Sequence, residues 1–138
     1  MVSAIVGDWY HNRALPHVIL PMPLHSTRLK ERGFNQAVEI ARPIVNHLRL
    51  PMDVTSQRIR ATAAQSSLAG SERVANVKNA FVVKENFRGC HVAILDDVIT
   101  TGCTVTAFSL ALKKAGAVKI DVWCCAKTLL ESHSARAS

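Results

Sequence analysis

A chain of 138 residues, 49% hydrophobic and 20% charged, is sized for one compact domain, and it contains no apolar run of about 18 residues able to span a bilayer. Lys and Arg outnumber Asp and Glu by 17 to 10, a formal charge of +7 that disfavours cationic partners and leaves three polyanionic classes open: a phosphorylated small molecule, a nucleic acid or an acidic protein. One Tyr, two Trp and four Phe are too few for a row of the base-stacking platforms that single-strand binders use.

Residues 1–16 read as an N-terminal extension without the charged start and long apolar core of a signal peptide, so a cytoplasmic protein is expected. His17 to Pro21, HVILP, is a short apolar run closed by proline, which suits a buried strand. A loop is expected from Met22 to Gly33, carrying Arg28, Lys30 and Arg32. From Phe34 a helical pattern follows, with Ala37, Ile40, Ala41, Ile44, Val45 and Leu48 recurring every three or four residues. Pro43 falls inside it and predicts a kink or a helix in two pieces, because proline lacks a backbone donor and clashes one turn back.

A short strand is predicted around Val54 to Gln57, and then a mobile loop from Arg58 to Gly70, rich in Ser, Thr, Ala and Gln. Ser71 can cap a helix reaching about Asn79, after which Phe81 to Lys84 and His91 to Leu95 read as strands separated by a turn at Asn86 to Gly89. A helix from Thr104 to Ala115 has Val105, Phe108, Ala111, Leu112 and Ala115 on one face and stops at Gly116. The last strand is Lys119 to Ala126, and the tail from Glu131 to Ser138 reads as frayed. Cys90, Cys103, Cys124 and Cys125 show no C-x-x-C spacing, and reduced thiols are expected. Strands alternating with helices imply right-handed crossovers and a mostly parallel sheet covered on both faces, with ligand sites at the carboxyl ends of the strands.

The informative strand end is VAILDDVITTGCT, Val92 to Thr104. An apolar strand delivers the paired carboxylates Asp96 and Asp97, followed by Thr100, Thr101, Gly102, Cys103 and Thr104 at a helix start. Small and hydroxyl-bearing residues with a glycine let backbone N–H groups turn around a phosphate, and the helix N-terminus adds its dipole. The two carboxylates can accept hydrogen bonds from vicinal ribose hydroxyls and provide the anionic field that a Mg-bound pyrophosphate sugar and an oxocarbenium cation prefer. Neither G-x-x-x-x-G-K-[ST] nor G-x-G-x-x-G occurs in the chain.

This segment resembles the phosphoribosyl pyrophosphate signature of type I phosphoribosyltransferases. The wider chain resembles the competence protein F family within them, through Leu20 to Ala37 (LPMPLHSTRLKERGFNQA), Gln65 to Phe81 (QSSLAGSERVANVKNAF) and the signature itself. The resemblance implies one domain with a three-layer α/β fold built on a mostly parallel five-stranded sheet. It assigns Asp96 and Asp97 to the ribose and the reaction centre, Thr100 to Thr104 to the 5′-phosphate, and the turn at Pro23, Leu24 and His25 to the pyrophosphate. Arg28 and Arg32 are candidates for neutralising that leaving group, the alternative being exposed charges at the start of a helix. His25 is read as a surface residue or a phosphate contact.

The stretch Arg58 to Ser71 falls where many of these enzymes have a loop that closes over the site, so Arg58, Arg60, Gln65 and Arg73 are either substrate contacts on closure or a solvated basic surface. Cys103 at a helix N-terminus is read as a small residue accommodated beside phosphate rather than a reactive thiol. The implied cofactor is Mg²⁺, carried by the substrate with Asp96 and Asp97 as its only protein candidates; a homodimer and no membrane insertion are expected.

Two departures narrow the expectation. Members of the family commonly carry an N-terminal zinc-binding segment with paired cysteines, and none precedes His17, which implies loss of that segment or a truncated domain. Purine-salvage members often have an acid-base carboxylate where this chain has Thr100, so proton transfer to a purine is not supported. The expected reaction is displacement of pyrophosphate from phosphoribosyl pyrophosphate by an unspecified nucleophile. The competing expectation is a non-catalytic module of the same fold, binding nucleotides or single-stranded DNA alongside competence-machinery proteins in DNA uptake. A ligand-sensing regulator would need a DNA-reading element that the sequence does not offer.

Overall fold

The computed structural model describes residues 14–59, 80–99 and 102–127. In chain order these form β1 (Val18–Pro21), α1 (Ser26–Arg32), α2 (Gln36–Leu48), β2 (Gln57–Arg58), β3 (Phe81–Val82), β4 (His91–Ile99), α3 (Cys103–Lys114) and β5 (Lys119–Lys127). The expected loop from Arg58 to Gly70 beyond Ile59, the helix from Ser71 to Asn79, the frayed tail and residues 1–13 of the N-terminal extension lie outside the described residues.

Among the described residues the central sheet is parallel and three-stranded, in the order β1, β4, β5. β4 lies in the middle, and its residues His91 to Leu95 are all buried, which is why Val92 to Leu95 form a continuous apolar run rather than an alternating one. Ile19 directs both of its backbone groups away from β4, donating to the Pro51 carbonyl at 3.0 Å and accepting from Asp53 N–H at 3.0 Å, so that Met52 forms a parallel bridge on the far side of β1. The chain thus leaves β1 in one direction to reach Met52 and continues from β4 in the other to reach β5. Right-handed crossovers place α2 and α3, which occupy those two connections, on opposite faces of the sheet.

The five-stranded sheet is confirmed only in part: among the described residues, three strands form this parallel sheet and two form a separate antiparallel pair, in which Gln57 faces Val82 and Arg58 faces Phe81. The strand predicted at Val54 to Gln57 is displaced to Gln57–Arg58, because the Asp53 carboxylate accepts from both the backbone N–H and the hydroxyl of Thr55 and folds that segment into a turn. The strand predicted at Phe81 to Lys84 stops at Val82. β4 extends past Leu95 to Ile99, so Asp96 and Asp97 lie within the strand rather than beyond it; pairing of Asp96, Val98 and Ile99 with Cys124, Ala126 and Lys127 of β5 maintains the extension.

The segment from Met22 to Gly33, expected as a loop, contains α1. This helix buries no residue, so it carries no apolar periodicity; it is defined instead by its ends, His25 as N-cap and Gly33 in the left-handed region at φ 79°. Helix α2 begins at Gln36 with Asn35 as its cap and turns Ala37, Ala41, Ile44 and Val45 inward onto β1 and β4. It runs as one helix through Pro43. Pro43 and Glu39, whose carbonyl loses its intrahelical donor, are both exposed, so water can satisfy the unpaired group.

Helix α3 buries Ala107, Phe108 and Leu112. The Phe108 ring stacks on Phe81 with centroids 4.9 Å apart, fastening the antiparallel pair to the core. Past the helix, Gly116 adopts φ 103°, and a Cβ there would lie 2.6 Å from the Arg88 Cα, so both the turn and the close approach call for glycine.

At the amino end of the sheet, His91 N–H donates to the ring Nδ1 of His17 at 2.9 Å, and the His91 Nε2 meets the Asp121 carboxylate at 2.7 Å, linking the starts of β1, β4 and β5. The four cysteines are free thiols, and no described helix is long and apolar enough to cross a membrane.

Phe108 is fully buried, and its truncation leaves a cavity beneath Phe81. Phe108→Ala is expected to lower the unfolding free energy by about 3–5 kcal/mol, measured by denaturant titration.

Candidate functional site

The β1–β4 ladder ends where Met22 N–H donates to the Leu95 carbonyl at 2.7 Å. Beyond that bond the two strands part: β1 turns away through Pro23 and Leu24 toward α1, while β4 continues with Asp96 and Asp97. Since strand order reverses between β1 and β4, this is the topological switch point, where open α/β sheets form a crevice at their carboxyl ends. A cleft of about 410 Å³ opens there, bounded by Pro23 and Leu24 on one side and by Asp96, Asp97, Gly102 and Thr104 on the other. Arg28, Arg32 and Arg58 reach it from two elements of the chain, α1 contributing the first two and β2 the third.

Asp96 and Asp97 are adjacent and half-buried. The Asp97 backbone N–H donates to the Asp96 carboxylate at 2.9 Å. Burial, followed by the neighbouring Asp97 carboxyl, raises the Asp96 pKa to about 7, against a smaller lowering influence from Arg58. Arg58 has its own pKa lowered, first by burial, with Asp96 acting the other way and Arg28 reinforcing the shift; Arg58, Asp96 and Arg28 therefore sense one another across the cleft. The Arg58 guanidinium lies 5.7 Å from the Phe81 ring centroid, so the Phe81–Phe108 stack also positions this cation.

Asn35 is a cleft residue that pattern reading missed. Its amide donates to the Met22 carbonyl at 3.1 Å while its side-chain oxygen accepts from Ala37 N–H at 3.0 Å, clamping the turn after β1 to the start of α2. The signal was available as a helix-capping Asn just after a glycine, within the quoted R-G-F-N-Q block.

His25 does not line this cleft. Its Nδ1 accepts from Thr27 N–H at 3.2 Å as the N-cap of α1, and its ring borders a second cavity beyond Pro23 and Leu24. Gly102, at φ 81°, is the N-cap of α3 and presents the positive end of that helix to the cleft. Cys103 is exposed in the first helical turn. Thr100, Thr101, Arg60, Gln65 and Arg73 lie outside the described residues.

The arrangement combines a carboxylate pair, a helix N-terminus and three guanidinium groups around one crevice, which suits a ligand bearing several phosphates together with hydroxyls. Among the described residues no three His, Cys, Asp or Glu side chains converge to hold a metal. Two carboxylates do match the partial protein coordination that Mg²⁺ accepts when substrate oxygens and water complete its shell.

No family model matches the chain. It is similar to DNA utilization protein YhgH of Salmonella typhi, with 41% identity over 116 residues, 83% of this chain and 51% of the relative. It is also similar to competence protein F of Haemophilus influenzae, with 38% identity over 117 residues, 82% of this chain and 51% of the relative. The chain thus spans about half the length of the curated relatives it matches. Among solved structures, a purine phosphoribosyltransferase from Pyrococcus horikoshii superposes with a TM-score of 0.59 at 19% identity, covering 91% of this chain and 69% of that one.

Two measurements test this geometry. Asn35→Ala removes a cap and a tether together and is expected to cost about 1–2 kcal/mol in denaturant unfolding. For Asp96, a folded pKa near 7 lies above the unfolded carboxylate value of about 4, so its contribution to stability is fully present below the unfolded pKa and is lost as pH rises through 7. Asp96→Asn should therefore melt higher than the parent at pH 8, by about 1 kcal/mol after allowance for solvent screening, and should lose that advantage by pH 4. Thermal unfolding of both proteins across this range checks the sign.

Proposed function

Because this chain is a competence-protein-F-like protein with the type I phosphoribosyltransferase fold, we propose that its switch-point cleft binds phosphoribosyl pyrophosphate with Mg²⁺ and transfers the phosphoribosyl group to a nucleophile, releasing pyrophosphate. The observation that carries this reading is the convergence of Asp96 and Asp97, the amino end of α3, and the guanidinium groups of Arg28, Arg32 and Arg58 on one crevice.

On this reading each group has a defined task. The first turn of α3, with Gly102, Cys103 and Thr104, receives the 5′-phosphate, and Thr100 and Thr101, which precede it in the sequence, are assigned to the same phosphate. Asp96 and Asp97 accept hydrogen bonds from the ribose 2′- and 3′-hydroxyls and balance positive charge that develops at the anomeric carbon. Arg28 and Arg32 face the pyrophosphate as the bond from the anomeric carbon to its oxygen breaks, and the departing electron pair stays on that oxygen. The incoming nucleophile supplies the pair for the new bond at the anomeric carbon. Bound Mg²⁺ would neutralise charge on the pyrophosphate, with Asp96 and Asp97 as its protein-side partners. The chain has Thr100 where purine-salvage enzymes often have a carboxylate, so the nucleophile must bring or lose its proton without help from that position.

A second reading draws on the charge of α1 and of the whole chain. The relatives' names refer to DNA utilization and competence, and α1 presents Arg28, Lys30 and Arg32 on a helix that buries nothing, within a chain of net charge +7. These favour binding of single-stranded DNA during DNA uptake, without turnover and in company with other competence proteins.

The two readings separate experimentally. In calorimetry, phosphoribosyl pyrophosphate is expected to bind only when Mg²⁺ is present, and the Asp96→Asn, Asp97→Asn double variant should lose at least about tenfold in affinity. Lowering the pH from 8 to 6 protonates Asp96 and should weaken the same binding in the parent protein. Unchanged affinity in the double variant would refute the first reading. Steeply salt-dependent DNA binding, with no pyrophosphate released from any nucleobase or amine offered, would favour the second.

A further inference from the structure

The segment from Met22 to Asn35 leaves the sheet and returns to it, and the 3.1 Å bond from the Asn35 amide to the Met22 carbonyl ties its base. Helix α1 lies within this segment and packs no side chain into the core, so burial does not hold it in shape. Seven residues are also too few for a helix to sustain itself in water, which leaves its end groups to keep it wound. We infer that His25 is a proton-sensitive catch on α1: with a neutral ring it holds the helix that carries Arg28 and Arg32 to the cleft, and with a protonated ring it releases them. The inference rests on reading that cleft as the place where a ligand's phosphates bind.

The His25 Nδ1 accepts from Thr27 N–H at 3.2 Å and the His25 carbonyl accepts from Leu29 N–H at 2.9 Å, so one residue closes the first turn with both its side chain and its backbone. A ring nitrogen that accepts must offer a lone pair, and the neutral imidazole therefore keeps its proton on Nε2. A second proton can go only to Nδ1. The acceptor then becomes a donor facing the Thr27 donor, and a positive charge appears at the positive end of the helix. The side chains of Asn, Ser and Thr, common at this capping position, keep their accepting oxygen across the range of pH 5 to 8 in which an imidazole changes charge.

The surroundings offer that extra charge no relief. The first turn of α1 holds no acidic residue and includes Arg28. The cavity that the His25 ring borders receives Arg58 from β2, while Asn35 and Val38 at α2 and Val54 and Ser56 before β2 are uncharged, and its described lining residues include no carboxylate. The carboxyl end of α1 is closed independently, by Gly33 N–H donating to the Leu29 carbonyl at 2.7 Å. Because Asn35 ties the base of the segment, α1 can unwind as a local unit without disturbing β1. Arg28 and Arg32 then lose their fixed positions at the cleft, and affinity for an anion there falls with the fraction of molecules in which α1 is wound.

The catch is read first without ligand. Between pH 8 and pH 5.5 the helical ¹³Cα shifts of Leu29, Lys30 and Glu31 are expected to fall by about half in the parent protein. His25→Asn, which caps without titrating, should hold them constant, and His25→Ala should show low values throughout. Relative to His25→Asn, the parent's affinity for inorganic pyrophosphate should fall at least about threefold over the same range. That ratio cancels the titration of Asp96 and of pyrophosphate itself, which both proteins share. At pH 8, His25→Ala should bind pyrophosphate at least about threefold more weakly than the parent, and His25→Asn should restore the binding. Shifts that ignore pH, or that respond equally in His25→Asn, would overturn the inference. So would an affinity ratio that stays constant while α1 unwinds, because the helix would then not govern the cleft, and so would a ratio that rises on acidification, the mark of a protonated ring bonding the anion directly. Failure of the phosphoribosyl pyrophosphate reading is seen separately, as unchanged binding of that compound in the Asp96→Asn, Asp97→Asn variant, whereas the α1 shifts are read without any ligand.

Discussion

The 2.7 Å hydrogen bond from Met22 N–H to the Leu95 carbonyl is the point on which the site depends. Before it, β1 and β4 are held in register through Val18–Val92, Ile19–Ala93 and Leu20–Ile94, in the most deeply buried part of the molecule. After it, one strand must turn while the other continues. A crevice forms because two rigid elements separate at a fixed place, and because reversal of strand order leaves no helix to fill the gap. Asn35 secures the turning strand by bonding Met22 itself, so the same residue carries the last ladder bond through its N–H and the first loop tether through its carbonyl.

The charges follow from this geometry. Asp96 and Asp97 are brought together by strand continuity alone, and their closeness would be unfavourable without compensation. Arg58 supplies part of it from an antiparallel pair that is anchored through Phe81 to Phe108, deep in the core. Packing under one helix therefore decides where a cation stands at the opposite wall of the cleft. The remaining cations, Arg28 and Arg32, ride on α1, which buries no side chain and contributes position rather than stability.

Legibility in the sequence tracked burial. β1, β4, α2 and α3 could be read because the core imposes a continuous apolar run or a 3.6-residue period on them, and Asp96 and Asp97 stood out because two carboxylates directly after such a run are unusual. α1 left no such trace, since an exposed helix of polar residues is marked only by its caps. Extension of β4 to Ile99 depends on β5 alongside, a partnership across more than twenty residues that no local window contains. The same holds for Gln57–Arg58 with Phe81–Val82, where strand pairing is remote and each element is two residues long. The second cavity, too, is assembled from α1, α2 and the segment around Val54 to Ile59, so its aliphatic character was present in the sequence but its concavity was not.

Burial and the neighbouring Asp97 carboxyl hold the Asp96 pKa at about 7 against the lowering effect of the Asp97 N–H bond, so the cleft contains a carboxyl that exchanges its proton near neutral pH. On the proposed function, a ligand arriving as a bare polyanion would draw a proton onto Asp96, and one escorted by a divalent cation would drive that proton out. The two kinds of visitor would thus leave opposite imprints on the surrounding buffer.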